Sequence, residues 1–167
     1  MSPAELDAEA LYKKLEAQVE TALTGIAKLA VAGIYSGGAW LAERLAKKLG
    51  VTDIGYVDVS FYRDDVAERG LSAGVKPIQI PFDVDGATIL LVDDVLYTGR
   101  TTRAAINTLF DYGRPAKILL AALVDRGGRE LPVAADFVAQ SVTLADKELL
   151  VLQKADDGRL TLTIDHA

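Results

Sequence analysis

Leu11, Leu15, Val19, Leu23 and Ile26 recur at spacings of three and four, which predicts one apolar stripe along a helix. Ser2-Pro3-Ala4-Glu5 reads as the start of that helix, with serine as cap, proline at the first helical position and Glu5 closing a capping box. Residues 29–34 (LAVAGI) form a short apolar run that predicts a buried strand, and Tyr35-Ser36-Gly37-Gly38 predicts a turn. Leu41, Leu45 and Leu49 then lie four apart with Glu43, Arg44, Lys47 and Lys48 between them, an amphipathic helix that Gly50 stops. Residues 56–62 alternate, with Val57, Val59 and Phe61 on one face and Asp58 and Ser60 on the other, the pattern of a half-buried strand. From 63 to 81 the period disappears among Gly70, Ser72, Gly74 and Pro77, which predicts a long loop or arm of functional character. Residues 88–92 (TILLV) predict a strand covered on both faces, followed by a loop, a helix over about 101–112 and the stop signal Gly113-Arg114-Pro115. Residues 117–124 (KILLAALV) predict another buried strand. The tail from Asp136 holds the short apolar pieces Phe137-Val138, 149–152 and 160–164, with a hairpin turn at Asp156-Asp157-Gly158.

Strand and helix alternate over most of the chain, which predicts an α/β fold with a mostly parallel central sheet flanked by helices. The flexible arm and the tail fall outside the alternation, the tail as a small C-terminal antiparallel β appendage. At 167 residues and 17.8 kDa, the span 1–167 is expected to be a single domain. Half of the residues are apolar and a quarter charged, enough for a core that needs no disulfide or metal staple. The absence of cysteine excludes a disulfide scaffold, a zinc knuckle and a thiol nucleophile. The single histidine, His166, lies beside the last residue, a poor place for the positioned base of a Ser-His-Asp triad. A net charge of −6 disfavours a surface built for nucleic-acid phosphate. The longest apolar run, residues 118–124, is far short of the ~20 residues that span a bilayer. The N-terminus carries acids and a helix signal where a secretory leader would be basic and apolar, so a cytoplasmic protein with no membrane partner is expected.

The stretch that carries chemistry is 89–101, ILLVDDVLYTGRT. A buried strand ends in Asp93 and Asp94, and a short loop containing Thr98, Gly99 and Thr101 opens directly onto a helix. Ligands of open α/β sheets bind at the carboxyl ends of the strands. Backbone N–H groups at a helix N-terminus attract anions, and glycine lets the main chain approach a phosphate closely. Two carboxylates beside such a loop would repel a phosphate; they suit vicinal hydroxyls, or a Mg²⁺ bridging to a polyanion. A sugar with a 5′-phosphate and free 2′ and 3′ hydroxyls meets both demands. The acid pair alone fits a solvated strand end or a helix cap equally well; it is the order of all thirteen residues that selects the phosphate-sugar reading.

That stretch resembles the phosphoribosyl-pyrophosphate binding motif of type I phosphoribosyltransferases. The resemblance is narrower in Phe61-Tyr62-Arg63-Asp64-Asp65, in 92–101, in Gly113-Arg114-Pro115, and in Leu123-Val124-Asp125-Arg126-Gly127 followed by Arg129-Glu130-Leu131-Pro132. These resemble the bifunctional pyr operon regulator and uracil phosphoribosyltransferase (PyrR) family, nearly continuously from about 29 to 137. The resemblance implies a type I phosphoribosyltransferase fold and roles for particular residues. Asp93 and Asp94 would bind the ribose hydroxyls, directly or through Mg²⁺. Val95, Leu96, Tyr97, Thr98, Gly99, Arg100 and Thr101 would wrap the 5′-phosphate, and Tyr35, Ser36, Gly37 and Gly38 would hold pyrophosphate. The arm would close over the site and bring Arg63 to the pyrophosphate, making Arg63, Asp93 and Asp94 the catalytic set. Val124, Asp125 and Arg126 fall where the nucleobase edge is read. The implied reaction joins uracil N1 to the anomeric carbon of phosphoribosyl pyrophosphate, giving UMP and pyrophosphate. UMP or UTP would be ligands, and the implied assembly is a homodimer or homotetramer.

The chain departs from the family pattern twice. The usual Thr-Arg-Gly of the pyrophosphate loop is Ser36-Gly37-Gly38, and a histidine common in the later turn is replaced by Gly128. The alternative function within the resemblance is an RNA-binding attenuator that reads pyrimidine-operon leader mRNA and senses uridine nucleotides. A third reading is a nucleotide-holding relic. The 18 lysines and arginines are scattered without a run of three. Of the basic residues, Arg100 and Arg103 also suit a surface or dimer contact, and Arg126 and Arg129 suit ion pairs with Glu130 or Asp136. Trp40, after the glycine turn, reads as packing or interface. A receiver domain would carry its acid pair on the first strand, no G-x-x-x-x-G-K-[ST] exists for a Walker hydrolase, and no histidine serves a serine hydrolase.

Overall fold

A computed structural model describes residues 6–59 and 79–166. The elements are α1 (Ala8–Leu23), β1 (Leu29–Ile34), α2 (Gly37–Leu49), β2 (Ile54–Val57), β3 (Thr88–Leu96), α3 (Arg100–Phe110), β4 (Lys117–Asp125), β5 (Phe137–Ser141), β6 (Glu148–Lys154) and β7 (Leu160–His166). Five parallel strands form the central sheet in the order β2-β1-β3-β4-β5, and β6 and β7 form a separate antiparallel hairpin.

Each face of the sheet has its own core. On one face α1 contributes Leu15 and Val19, α2 contributes Leu41 and Leu45, and the sheet meets them with Val31, Leu90, Val92 and Leu123. The hairpin adds Leu150, Leu152, Leu160 and Leu162 to the same cluster, so the appendage is packed down by its apolar face. On the other face Ala104, Ala105 and Leu109 of α3 cover Ala32, Ile34, Ile89, Leu91 and Ala122. Ile89 and Leu91 thus face one core while Leu90 and Val92 face the other, the strand period expressed in a sheet buried on both sides.

Several boundaries differ from the sequence pattern for identifiable reasons. Helix α1 begins at Ala8 because the Asp7 carboxylate accepts from the Ala10 N–H at 3.2 Å; the Ser2-Pro3 start and Glu5 lie outside the described residues. Ile26 is past the end of that helix and 42% exposed, since the chain leaves the helix at Thr24 and turns through Gly25 at φ +84°. Gly50 ends α2 as expected, at φ +74° with its N–H on the Ala46 and Lys47 carbonyls. Gly37 and Gly38, read as part of a turn, are the first residues of α2. Strand β2 starts two residues before the alternating stretch, and Tyr56 exchanges hydrogen bonds with Gln79 at 2.7 and 3.0 Å. Phe61, Tyr62, Arg63 and most of the 63–81 arm lie outside the described residues.

The largest correction concerns the tail. Its first piece, β5, is an edge strand of the parallel sheet, paired with β4 from Ala121↔Phe137 to Asp125↔Ser141, so only β6 and β7 form the antiparallel appendage. The Asp156-Asp157-Gly158 turn is present: Asp157 accepts from the Arg159 N–H at 3.0 Å and Gly158 has φ +90°. Glu9 ties that turn to the helices. It holds Arg44 of α2 through two hydrogen bonds of 2.8 and 3.0 Å and accepts from the Leu160 N–H at 2.8 Å. Arg44 also donates to the Gly158 carbonyl at 2.8 Å.

Candidate active site

Because β1, β3 and β4 run parallel, their C-terminal ends share one edge of the sheet, where open α/β folds bind ligands. Strand β3 carries the acid pair there. It does not stop at Val92, where the apolar run ends, but continues to Leu96, with Asp93 opposite Ala122 and Val95 opposite Val124 on β4. Asp93 is 6% exposed, and Asp94 is half-buried. Each carboxylate accepts from the next backbone N–H: Asp93 Oδ1 from Asp94 and Asp94 Oδ1 from Val95, both at 2.8 Å.

The turn between β1 and α2 is pressed against this pair. A Cβ on Gly37 would lie 2.3 Å from Asp94 Oδ2, and one on Gly38 would lie 2.3 Å from the Val92 carbonyl oxygen and 3.1 Å from Asp93 Cα. Only glycines allow the first turn of α2 to stand so close to the strand. Ser36 caps α2 by position alone, making no side-chain hydrogen bond to the helix amides. Those amides carry the positive end of the helix dipole toward the acid pair's end of the sheet. The Tyr35–Ser36 peptide is cis. The Tyr35 ring is turned toward the sheet edge, stacked on Tyr56 with centroids 5.4 Å apart, and the Tyr56 hydroxyl donates to Glu43 at 3.2 Å.

Beyond Leu96 the chain forms a tight loop of Tyr97, Thr98 and Gly99 before α3 begins at Arg100. Gly99 holds φ +96° and packs against Val133 and Leu131. Thr98 is 4% exposed, and its hydroxyl accepts from the Arg100 N–H at 3.2 Å. Thr101 lies half-buried in the first turn of α3. Val95 and Leu96, expected in the loop, belong to the strand; Leu96 and Val124 are both buried, in the cores on opposite faces of the sheet.

The segment after β4 wraps this loop in a way the sequence did not reveal. Arg129 donates to the Tyr97 carbonyl at 2.7 Å, to the Val133 carbonyl at 2.7 Å and to Asp125 Oδ2 at 2.6 Å. The Thr98 carbonyl accepts from the Glu130 and Leu131 N–H groups at 2.9 and 3.1 Å. Arg126 is 7% exposed; it donates to the Glu148 and Ala145 carbonyls at 2.7 and 3.2 Å, and its guanidinium lies 3.9 Å from the Tyr97 ring centroid. The ion pairs expected of Arg126 and Arg129 with Glu130 or Asp136 are therefore replaced. Glu130 pairs with the exposed Arg100 at 2.8 Å, and Asp136 accepts from the Leu120 N–H at 2.8 Å. Burial pushes the Asp125 carboxyl up, but Arg129 and the Gly127 N–H outweigh it and hold it below the usual carboxylate range.

Among the described residues no group of three or more His, Cys, Asp and Glu side chains could hold a metal, and no helix is long and apolar enough to cross a membrane. The acid pair supplies two hard carboxylates only, a donor set for a cation that takes its remaining ligands from substrate oxygens or water.

The chain matches the family model described as "Phosphoribosyl transferase domain" over residues 5–148. A protein of Ralstonia nicotianae named Bifunctional protein PyrR is 52% identical over 98% of this chain and 97% of its own length. One of the same name from Nitrosococcus oceani is 46% identical over 92% of this chain and 90% of its own. Among solved structures, a Bacillus anthracis hypoxanthine-guanine phosphoribosyltransferase superposes with a TM-score of 0.65 at 20% identity, covering 87% of this chain and 84% of that one, which shows the shared fold. The chain belongs to the phosphoribosyl transferase domain family and, within it, to the bifunctional PyrR proteins; it is a phosphoribosyltransferase.

Proposed function

We propose that this enzyme transfers the phosphoribosyl group of phosphoribosyl pyrophosphate to N1 of uracil, releasing UMP, pyrophosphate and the N1 proton. The observation that carries the reading is the acid pair of β3, held between the glycine turn that opens α2 and the loop that opens α3. Two helix N-termini flank two carboxylates at one sheet edge. That arrangement suits a ligand with an anion at each end and hydroxyls in the middle.

In this reading the 5′-phosphate rests on the amides of 97–101, with the Thr98 and Thr101 hydroxyls beside it. Asp93 and Asp94 accept from the ribose hydroxyls. Their negative charge also favours the oxocarbenium-like sugar that forms as the anomeric C–O bond breaks before the N1–C bond is complete. Pyrophosphate leaves toward residues 35–38, where the amides of α2 meet its charge, and the resemblance assigns Arg63 the same task. The base lies against the backbone of Val124, Asp125 and Arg126, while the Arg126 side chain is held by the 145–148 carbonyls. Mg²⁺, which the acid pair fits as a shared ligand, supplies charge neutralisation on the pyrophosphate when bound. No imidazole is needed, since this leaving group requires charge compensation more than a proton. The reading includes one domain, a cytoplasmic setting and a homodimer or homotetramer.

The experiment is UMP formation from labelled uracil, phosphoribosyl pyrophosphate and Mg²⁺, with Asp94→Asn beside the wild type. The expected loss of donor affinity in Asp94→Asn is about 10- to 100-fold, the scale of hydrogen bonds to a charged group. Unchanged donor affinity in that variant would overturn the site assignment. The word "Bifunctional" in the relatives' name favours a second activity. We assign it to leader-mRNA binding controlled by uridine nucleotides, tested by titrating a pyrimidine-operon leader RNA with and without UMP.

A further inference from the structure

We infer that Arg129 is a positioning residue of the phosphate site, fixing the direction of the peptide dipoles in the loop 97–99. The inference rests on the proposed reading of that loop as the 5′-phosphate cradle and adds how the cradle is held in shape.

Three successive carbonyls, from the last residue of β3 into the loop, are tied to the segment that follows β4. Leu96 O accepts from the Arg126 N–H at 3.0 Å, Tyr97 O from Arg129 Nη1 at 2.7 Å, and Thr98 O from the Glu130 and Leu131 N–H groups. A trans peptide is planar, with its C=O and N–H pointing in opposite directions. Pinning these carbonyls toward 126–131 therefore turns the N–H groups of Tyr97, Thr98 and Gly99 the other way. A row of amides facing one side is an anion cradle; a single peptide flip would replace one donor with a carbonyl oxygen that repels phosphate.

Of the three ties, the middle one alone is made by a side chain. The Arg129 guanidinium is fully directed: Nε to Val133 O, Nη1 to Tyr97 O and Nη2 to Asp125 Oδ2. Asp125 is itself fixed by accepting from the Gly127 N–H at 2.9 Å. This planar fork reaches three fixed acceptors at once, which a lysine ammonium on a flexible stem does not reproduce. Tyr97 is also held by the Arg126 guanidinium over its ring and by Gly128 close beside it, where a Cβ would lie 2.5 Å from Tyr97 Cε1. The ring is thus locked and Arg129 sets the peptide that follows it.

The test compares Arg129→Lys and Arg129→Gln with Thr101→Val in the full-length enzyme, measuring UMP and uridine affinities by calorimetry, KM for each substrate, and Tm. The two ligands differ only by the 5′-phosphate. The expected result for both Arg129 variants is a loss of UMP affinity and a rise in KM for phosphoribosyl pyrophosphate of about 10- to 100-fold. Uridine affinity and KM for uracil are expected to stay within about twofold, inside the error of separable contributions. Equal losses for UMP and uridine would overturn the inference, since they describe general loosening. If Arg129→Gln does not fold, Arg129→Lys decides, because its retained charge and length keep the fold while the fork is lost. Thr101→Val separates the two readings. If it weakens UMP and the Arg129 variants do not, the positioning role fails alone; if it leaves UMP affinity unchanged, the phosphate-loop reading fails and this inference with it.

Discussion

Gly37→Ala adds one carbon where the Asp94 carboxylate stands. The new Cβ would lie 2.3 Å from Oδ2, 2.8 Å from Cγ and 2.9 Å from Cβ of Asp94, against 3.4 Å for ordinary contact. Rotation of the Asp94 side chain can move its oxygen and carboxyl carbon away, but it leaves Asp94 Cβ in place. The shortfall at that atom, about half an ångström, must come from the backbone of α2 or β3. The rotation also breaks the hydrogen bond that Asp94 Oδ1 accepts from the Val95 N–H. Overpacking of this kind costs about 1–3 kcal/mol. For a chain of this size that corresponds to a fall in Tm of roughly 2–12 °C.

The effect on turnover should be larger than the effect on stability, because the displaced group is the one proposed to hold the ribose. A misplacement of about 1 Å costs on the order of 100-fold in rate. The assay is UMP formation at varied phosphoribosyl pyrophosphate, with thermal unfolding followed by circular dichroism. The expected outcome is a folded variant with kcat/KM for the donor down about 100-fold. Wild-type kcat/KM in Gly37→Ala would refute the argument that the glycine turn and the Asp94 carboxylate share one tightly packed site.

Leu15→Ala, in the core between α1 and the sheet, is the complementary case: an expected loss of about 2–5 kcal/mol with kcat/KM unchanged well below its Tm, checked by denaturant unfolding and the same assay. Gly128→Ala must place its methyl against the Tyr97 ring at φ +77°, so a loss of about 1–3 kcal/mol and weaker UMP binding are expected by melting and calorimetry. The hydrogen bonds from Arg44, outweighing partial burial, hold the Glu9 carboxyl below its ordinary value of 4.5. The stabilisation is therefore fully present above about pH 4.5 and is lost as pH falls through the lowered value. Because the pair is partly exposed, its worth is under about 1 kcal/mol. Melting curves from pH 7 to 3 should show the wild type losing stability more steeply than Glu9→Gln below that point; parallel curves would show that Glu9 does not carry the dependence.

What could be read in the sequence follows a physical division. Local periodicity and local stops gave α2 with its Gly50 end, the buried β1 and β4, and the Asp157-Gly158 turn, because each is specified by residues a few positions apart. The end of β3 is not legible because the apolar run stops at Val92 while the ladder continues through two aspartates toward Leu96, paired with β4. The start of α1 at Ala8 is set by the Asp7 cap, and the Ser2-Pro3 signal lies outside the described residues. Edge strand β5 is not distinguishable from the tail in the sequence because its pairing partner β4 lies across an intervening loop. In the site, the acid pair and the loop glycine were visible as a motif. The clasp of Arg129 on Tyr97 was not, since a hydrogen bond between residues 32 apart leaves no period or spacing to read.

The two departures from the family pattern have local causes on opposite sides of the acid pair. At position 37 any side chain, arginine included, would begin 2.3 Å from an Asp94 oxygen. At position 128 any side chain would begin 2.5 Å from the Tyr97 ring, which is itself fixed by the Arg126 guanidinium 3.9 Å from its centroid. Each glycine is thus matched to a neighbour that occupies its missing Cβ, so neither substitution can be reversed without moving a group proposed to touch the substrate. A site of this kind meets anions with backbone amides at helix starts more than with side-chain charge. Amides have fixed direction, and their effect depends on how firmly each peptide is held. For the proposed site, that puts the determinants of donor binding in the packing behind the loops, in Gly37, Gly38, Gly128 and Arg129, as much as in Asp93 and Asp94.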